Sequence, residues 1–286
     1  MKMETNLVIA GSHDKPISLD IVYKSSPSLK PVVIFVHGFK GFKDWGHFNQ
    51  MAQTFANAGF IFVKFNFSHN GTTLQNPSEF EDLDSFGKNN YLIELNDLDI
   101  VISWVQNLAK SNQNINGQQI YLLGHSRGGG ISILKAAEDK RISKIVTWAS
   151  VGDFLNRYKD KTISEWKTKG VIYVFNARTK QNMPLYYQFY EVIQNNKERL
   201  NIKKAAKKLS IPFLIIHGTA DEAVSFHDAE ELHQSSKHSE LLVIEGAGHT
   251  FEVKHPFLDT VFPEIGKKVI NDTVMFFNRN FVETLE

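Results

Sequence analysis

The sequence predicts an α/β protein with a mostly parallel, eight-stranded sheet and helices on both faces. Short apolar runs alternate along the chain with amphipathic stretches, which is the pattern of parallel strands joined by helices. Most of these runs are apolar at every position, as strands in the middle of a covered sheet must be. The 286 residues, 42% of them hydrophobic, supply enough material for a sizeable core.

Eight strands follow from the apolar runs, and the first two are predicted to form an antiparallel hairpin. The predicted strands span residues 6–10, 17–23, 32–36, 61–67, 120–123, 144–148, 213–217 and 240–244. Between several of them, apolar residues recur at helical spacing, for example at Phe48, Met51, Ala52 and Phe55. This spacing predicts helices over residues 45–57, 92–108 and 267–281.

One interval, between the strands at 144–148 and 213–217, is far longer than a single crossover helix needs. It is rich in aromatic residues, and the run GVIYVFNA followed by RTKQNMP predicts a small hairpin. We therefore expect a core formed by residues 1–151 and 209–286, and an inserted cap formed by residues 152–208. The alternative is a second structural lobe that has no role in ligand binding.

The composition excludes several classes of function. Lys and Arg number 32 against 31 for Asp and Glu, and the resulting net charge of +1 argues against nucleic acid or an anionic membrane as the main partner. The absence of cysteine excludes disulfides, thiolate zinc sites and cysteine nucleophiles. The N-terminal residues lack the apolar core of a signal peptide, and no segment is long enough to span a bilayer, so we expect a cytoplasmic protein.

The segment Gly124-His125-Ser126-Arg127-Gly128 fits the motif G-x-S-x-G. It follows a predicted strand and precedes a helical pattern, and in that context the motif indicates a nucleophilic serine. A serine in a strained strand-to-helix turn projects its hydroxyl above the carboxyl edge of the sheet. The residues two positions either side must be small, because strand and helix nearly touch there.

A serine hydroxyl needs a base that accepts its proton, and a histidine base needs a carboxylate that orients it. His249 lies in the loop after the last predicted strand, and Asp221 lies in the loop after the preceding strand. Both loops should emerge at the same sheet edge as Ser126, where open parallel sheets place their sites. We therefore predict Ser126 as nucleophile, His249 as base and Asp221 as the orienting acid.

Other residues compete for these roles. Asp153 follows the strand at 144–148 and is the alternative acid, whereas Glu222 should point away from the site. His69 ends a strand on the site side and could contact a substrate. The remaining histidines near the site are expected to pack or to order loops: His37, His125, His217 and His255.

The motifs GHSRG, HGTADE and GAGH together resemble those of α/β-hydrolases, and the resemblance covers nearly the whole chain. The chain is most similar to serine carboxylesterases of the dienelactone-hydrolase and cinnamoyl (feruloyl) esterase type. The resemblance implies an oxyanion hole formed by the backbone N–H groups of Phe39 and Arg127. The side chain of Arg127 is expected on the surface, exposed or in a salt bridge. No metal or organic cofactor is implied.

The expected activity is hydrolysis of small or aromatic acyl or aryl esters through an acyl-enzyme on Ser126. The partner is then a small-molecule ester, and the sequence leaves open whether the chain forms a homodimer. Candidates for lining the ester site within the cap are Tyr158, Trp166, Tyr173 and Tyr187.

Three alternatives remain to this esterase assignment. An acyl-thioesterase or acyltransferase uses the same first half-reaction. A serine peptidase of the prolyl-oligopeptidase or aminopeptidase kind shares the three residues, although the sequence shows no propeller domain and no acidic pair for an amine. From another class, the fold can serve as a non-catalytic small-ligand binding protein.

Overall fold

A central sheet of eight strands forms the frame of the protein, as the sequence predicts. The computed structural model describes residues 1–281. The strand order across this sheet is β1-β2-β4-β3-β5-β6-β9-β10, and a separate two-stranded sheet pairs β7 with β8. The strands are β1 (Lys2–Ala10), β2 (Pro16–Tyr23), β3 (Lys30–Val36), β4 (Ile61–Asn66), β5 (Ile115–His125), β6 (Ile142–Trp148), β7 (Val171–Asn176), β8 (Gln181–Tyr186), β9 (Phe213–Gly218) and β10 (Ser239–Ile244).

The direction of the strands brings the predicted site loops to one edge. β2 pairs antiparallel with β1 and with β4, and every other pair of neighbours in the large sheet is parallel. The register sets Val36 beside Gly124 and His125 beside Trp148. The loops that follow β3, β5, β9 and β10 therefore leave the sheet at the same carboxyl edge.

Helices cover both faces of the sheet, which confirms the predicted fold class. The helices are α1 (Phe48–Asn57), α2 (Leu83–Lys88), α3 (Tyr91–Ala109), α4 (Arg127–Glu138), α5 (Asp160–Lys169), α6 (Gln188–Asn195), α7 (Ile202–Lys208), α8 (Phe226–Ser235) and α9 (Glu264–Asn278). Successive residues of β3 alternate between two buried clusters: Val33 and Phe35 pack with α1 and α9, whereas Ile34 packs with α3, α4 and α8.

Residues 152–208 form α5, the β7–β8 hairpin, α6 and α7. Their buried side chains, such as Trp166, Met183 and Phe189, belong to the same apolar cluster as α3 and α4. The last helix of this segment, α7, packs against α4 and α8. This segment thus shares a continuous apolar cluster with α3 and α4 on one face of the sheet.

The structure differs from the prediction mainly at the ends of elements. β5 begins at Ile115 rather than at residue 120, because Ile115 pairs with Lys30 although the residues that follow it are polar. The last helix begins at Glu264, after Pro263, and ends at Asn278, because Arg279 is extended. None of the helices within residues 1–281 has the length and hydropathy needed to traverse a lipid bilayer.

Candidate active site

Ser126 lies in a sharp turn between β5 and α4. Its backbone has φ 57° and ψ −121°, a conformation that costs a non-glycine residue free energy. The turn requires small neighbours: a Cβ on Gly124 would lie 2.4 Å from the carbonyl oxygen of Gly128, and a Cβ on Gly128 would lie 2.1 Å from that of Val36. The G-x-S-x-G segment therefore has the steric form that its motif predicts.

Asp221 and His249 meet at this edge of the sheet. His249 Nδ1 lies 2.8 Å from Asp221 Oδ2, across 28 residues of sequence. Since a carboxylate only accepts, Nδ1 carries the proton and Nε2 is the nitrogen left to act as a base. Asp221 accepts two more hydrogen bonds on Oδ1, from the backbone N–H groups of Ala223 and Val224, at 2.9 Å each.

A second histidine contacts Asp221, which the sequence did not predict. His217 is fully buried, and its Nε2 lies 3.2 Å from Asp221 Oδ2 and 3.1 Å from the carbonyl oxygen of Val224. A proton on Nε2 serves both acceptors. Burial by itself would raise the pKa of Asp221, but hydrogen bonds from His217 and His249 outweigh it and hold that pKa well below its usual range. Asp221 is therefore a carboxylate at neutral pH.

The loop that carries His249 is held by His125, the residue before Ser126. His125 Nε2 donates a hydrogen bond of 3.0 Å to the carbonyl oxygen of His249. Burial lowers the pKa of His125 to about 3, so this imidazole is neutral. Within residues 1–281, Ser126 Oγ and His249 Nε2 form no hydrogen bond with each other, but both side chains line the same two cavities. Contacts of this kind often tighten only when substrate binds.

The loop after β3 approaches Ser126 closely. A Cβ on Gly38 would lie 2.9 Å from the Ser126 Cβ, so only glycine permits this approach. The backbone N–H of the next residue, Phe39, has no hydrogen-bond acceptor among residues 1–281. Arg127 is the first residue of α4, where backbone N–H groups have no partner inside the helix. Both predicted oxyanion donors are thus available at the site edge.

Buried charges anchor the same loop from behind. Lys43 Nζ lies 2.9 Å from Asp20 and 2.7 Å from Asp44, and Lys64 pairs with the same two carboxylates. The backbone N–H of Lys43 also donates to Asn66 Oδ1 at 2.6 Å. Removing one residue of this ion-pair network would leave a buried charge without its partner. The network therefore fixes the path of the loop after β3.

The side chain of Arg127 is buried rather than on the surface, which corrects the sequence-based expectation. Its guanidinium forms an ion pair with Glu94 of α3 at 3.2 Å and lies 4.1 Å from the ring centroid of Phe39. Tyr91 and Phe189 flank it at 5.3 Å each. The expectation failed because Glu94, whose carboxylate pairs with Arg127, lies among apolar residues on the buried face of α3.

Two cavities open on either side of Ser126. The first, here the Asn176 cavity, has a volume of about 210 Å³ and is lined by residues that include Phe39, Lys40, Ser126, Asn176, Arg178 and His249. The second, here the Arg127 cavity, has a volume of about 480 Å³, and its lining includes Phe39, Lys40, Ser126, Arg127, Tyr158 and His249. Residues 152–208 contribute side chains to both cavities. Within the part of the chain that the structure describes, no Asp or Glu lines either cavity.

Several residues that the sequence singled out lie elsewhere. Asp153 bonds within its own loop, to the Leu155 N–H at 2.7 Å, and not to His249. His69 is buried against Ser68 at 2.7 Å and lines neither cavity. Of the four aromatic candidates, Tyr158 lines the Arg127 cavity. Trp166 is fully buried, Tyr187 is half-buried with its ring 6.2 Å from that of Trp166, and Tyr173 is 62% exposed, and these three line neither cavity.

The remaining histidine expectations agree with the contacts. His37 donates from Nδ1 to the Gly38 carbonyl oxygen at 2.9 Å, and His255 Nδ1 accepts from the Gly46 N–H at 2.9 Å. Both therefore order loops. Among the described residues, no cluster of three or more His, Asp or Glu side chains could hold a metal ion.

This fold, with a serine at the turn after the fifth strand, defines a serine hydrolase of the α/β-hydrolase class. Residues 46–281 match the prolyl oligopeptidase family, and the chain belongs to that family. The name of this family refers to a serine peptidase, which is one of the alternatives to an esterase that the sequence left open.

Known proteins resemble this chain in sequence and in fold. "Uncharacterized peptidase YtmA" of Bacillus subtilis (strain 168) is 27% identical over 131 residues, a match that spans 46% of this chain and 46% of that relative. Est1E from Butyrivibrio proteoclasticus, solved with ferulic acid bound, is 19% identical, with a TM-score of 0.71 over 94% of this chain and 97% of its own. A monoacylglycerol lipase from Paleococcus ferrophilus is 18% identical, with a TM-score of 0.63 over 91% of this chain and 97% of its own.

Proposed function

We propose that this protein is a serine esterase that forms an acyl-enzyme on Ser126. The observation that carries the proposal is the lining of the two cavities beside Ser126, which among residues 1–281 contains aromatic and cationic side chains and no carboxylate. A site that recognises the amino group of a peptide needs an acidic partner for it. Ester substrates need none, and aromatic walls suit flat or apolar acyl and alcohol groups.

The proposed first half-reaction begins with attack of Ser126 Oγ on the ester carbonyl. His249 Nε2 accepts the serine proton, and the carboxylate of Asp221 stabilises the imidazolium that forms, through the 2.8 Å contact to Nδ1. The negative charge that develops on the carbonyl oxygen is bound by the N–H groups of Phe39 and Arg127. His249 then gives its proton to the departing alcohol.

The second half-reaction uses the same groups on water. His249 removes a proton from a water molecule, which attacks the acyl-enzyme, and the acid leaves when the proton returns to Ser126. In this proposal residues 152–208 act as a cap, because Asn176 and Arg178 from the hairpin line one cavity beside Ser126 and Tyr158 lines the other.

A serine peptidase is the second candidate, favoured by the match to the prolyl oligopeptidase family and by the relative YtmA. The same triad serves both reactions, so the substrate distinguishes them. Hydrolysis rates of esters, thioesters and peptide anilides, measured on one preparation of the protein, distinguish an esterase from a peptidase. The same rates distinguish an esterase from a thioesterase.

The test is a panel of 4-nitrophenyl esters of rising acyl length, aryl esters, an acyl thioester and peptide 4-nitroanilides, measured with wild type and with Ser126→Ala. We expect turnover of short or aromatic esters, abolished in the variant. Hydrolysis of anilides alone would identify a peptidase instead. Equal rates for the two proteins would exclude Ser126 as nucleophile, and binding without turnover would indicate a non-catalytic protein.

A further inference from the structure

The turn that carries Asp221, residues 219–225, connects β9 with α8 and has a mostly exposed backbone. The two hydrogen bonds on Asp221 Oδ1 come from the N–H groups of Ala223 and Val224, which belong to the same turn. These bonds shape the turn but do not fix the carboxylate relative to the sheet. A carboxylate that orients His249 needs the support of a rigid element.

His217 supplies such a support from β9, which lies between β6 and β10 in the sheet. The side chains of His217 and Asp221 are both fully shielded from solvent. Nε2 of His217 lies 3.2 Å from Asp221 Oδ2 and 3.1 Å from the carbonyl oxygen of Val224, so one donor contacts two points of the turn. The ring of Phe226 packs edge-on against the imidazole, at 6.1 Å between centroids.

The surroundings of His217 select one form of its imidazole. Both neighbours of Nε2 are acceptors, which requires a proton on that nitrogen. Nδ1 is buried and has no hydrogen-bond partner among residues 1–281, so a second proton there would lie without an acceptor. His217 is therefore a neutral donor. It lines neither cavity beside Ser126, which excludes it as a second base for the substrate.

We propose that His217 is a positioning residue of the proposed triad: it holds Asp221 in the orientation that His249 requires and takes up part of the carboxylate charge. The inference rests on the proposed function of Ser126, His249 and Asp221. Asp221 Oδ2 lies 2.8 Å from His249 Nδ1 and 3.2 Å from His217 Nε2, so the same oxygen serves both imidazoles. A donor to a carboxylate spreads its charge, and this weakens its attraction for the imidazolium of His249.

Few other ionisable groups lie around this carboxylate. His125, at the end of β5, is kept neutral by burial, and the side chain of Glu222 belongs to an exposed residue. α8 contributes the apolar ring of Phe226. Among residues 1–281, no Lys or Arg forms an ion pair with Asp221. The two histidines are therefore the side chains that set the charge balance at Asp221.

The test measures the rate at which a fluorophosphonate labels Ser126, across the pH range in which a histidine titrates. Labelling requires a serine that is activated by His249, but it does not require a particular substrate. The readout is therefore the same for an esterase and for a peptidase. This inference can fail while the esterase proposal stands, and the esterase proposal can fail while this inference stands.

Three variants separate the hydrogen bond from the volume of the side chain. His217→Gln places an amide nitrogen at the same bond distance from Cβ as histidine Nε2, so it keeps the donor. His217→Met has a similar unbranched shape and no donor. His217→Asn carries the same amide one bond nearer the backbone, too short to reach Asp221, and it keeps the test decisive if His217→Met does not fold. The matched control is His69→Met, which removes another buried histidine, in contact with Ser68.

We expect the labelling rate at neutral pH to fall about tenfold or more in His217→Met and His217→Asn, because Asp221 is no longer held in place. The acidic limb of the pH profile should also move by about half a pH unit toward higher pH, because the carboxylate without this donor stabilises the imidazolium of His249 more strongly. His217→Gln and His69→Met should stay close to wild type in both rate and limb.

Two results overturn the inference and leave Ser126 as the nucleophile. One is an acidic limb that stays in the wild-type position in the folded variants without the donor. The other is an equal loss of rate in His217→Gln and His217→Met, which would mean that any change of this buried side chain has the same effect. A folded wild type that is not labelled at Ser126 overturns the proposed function, and this inference with it.

Discussion

The guanidinium of Arg127 lies 4.1 Å from the ring centroid of Phe39, so the two predicted oxyanion donors pack on each other through their side chains. Glu94 holds the guanidinium from the other side at 3.2 Å. The spacing between the turn at Ser126 and the loop after β3 is therefore set by a buried cation between an aromatic ring and a carboxylate.

This contact predicts that Arg127→Met destabilises the protein by about 3–5 kcal/mol, because the buried Glu94 carboxylate loses its partner. The double variant Arg127→Met/Glu94→Gln should recover much of that loss, since no unpaired charge remains. Urea unfolding measures the free energy of each variant. Lys268→Met, which breaks the exposed pair with Asp272, is the control and should change little. Additive losses in the double variant would contradict the buried pair as the cause.

The turn itself predicts a steric effect at Gly128. The Cβ of Gly128→Ala would lie 2.1 Å from the carbonyl oxygen of Val36, so β3 and α4 must separate. We expect a loss of at least about 2 kcal/mol in the free energy of unfolding, together with lost activity. Gly248→Ala is the matched control, because its Cβ would meet no atom nearer than 4.0 Å. Equal stability of the two variants would mean that the close contact is not a constraint.

The backbone of Ser126 is strained. We therefore expect that the residue giving the most stable protein at position 126 differs from the residue giving the most active one. Glycine adopts φ 57° without steric cost, so Ser126→Gly should unfold at a higher urea concentration than Ser126→Ala, with a difference of about 1 kcal/mol. Both variants should lack esterase activity. A glycine variant no more stable than the alanine variant would show that this turn stores no strain.

Much of the site follows from the sequence because parallel strands bring distant loops to one edge. Ser126, Asp221 and His249 each come directly after such a strand, so their approach needs only the strand pattern. The contact of Lys40 with the carbonyl oxygen of Phe175 was not predictable, because it depends on how the β7–β8 hairpin packs on the loop after β3. The burial of Arg127 had a weak signal in Glu94, a carboxylate at an apolar position of a long helix. The contact between His217 and Asp221 also had a weak signal, because the two residues lie only four positions apart in the sequence.

The depressed pKa of Asp221 predicts a pH-dependent stability. Its folded pKa lies below the unfolded value of roughly 4, so its charge contributes stability that is present above pH 4 and is lost as the pH falls through the folded pKa. Asp221→Asn should therefore cost on the order of 2 kcal/mol at pH 7 and progressively less below pH 4. Urea unfolding at pH 7 and pH 3 measures both values.

The same substitution should reduce kcat by roughly 10⁴-fold, because an amide no longer holds His249 in the required tautomer. Glu222→Gln, a change at the adjacent exposed carboxylate, should alter neither stability nor kcat. If Asp221→Asn cost the same free energy at both pH values, the charge of Asp221 would not be the source of its effect.

The most direct measurement is to treat the folded protein with a fluorophosphonate and to map the adduct by peptide mass spectrometry. A serine activated by His249 and Asp221 should give one stoichiometric adduct, on the peptide that contains Ser126, and Ser126→Ala should give none. An unlabelled wild type that is folded, or an adduct that persists in Ser126→Ala, would contradict Ser126 as the nucleophile.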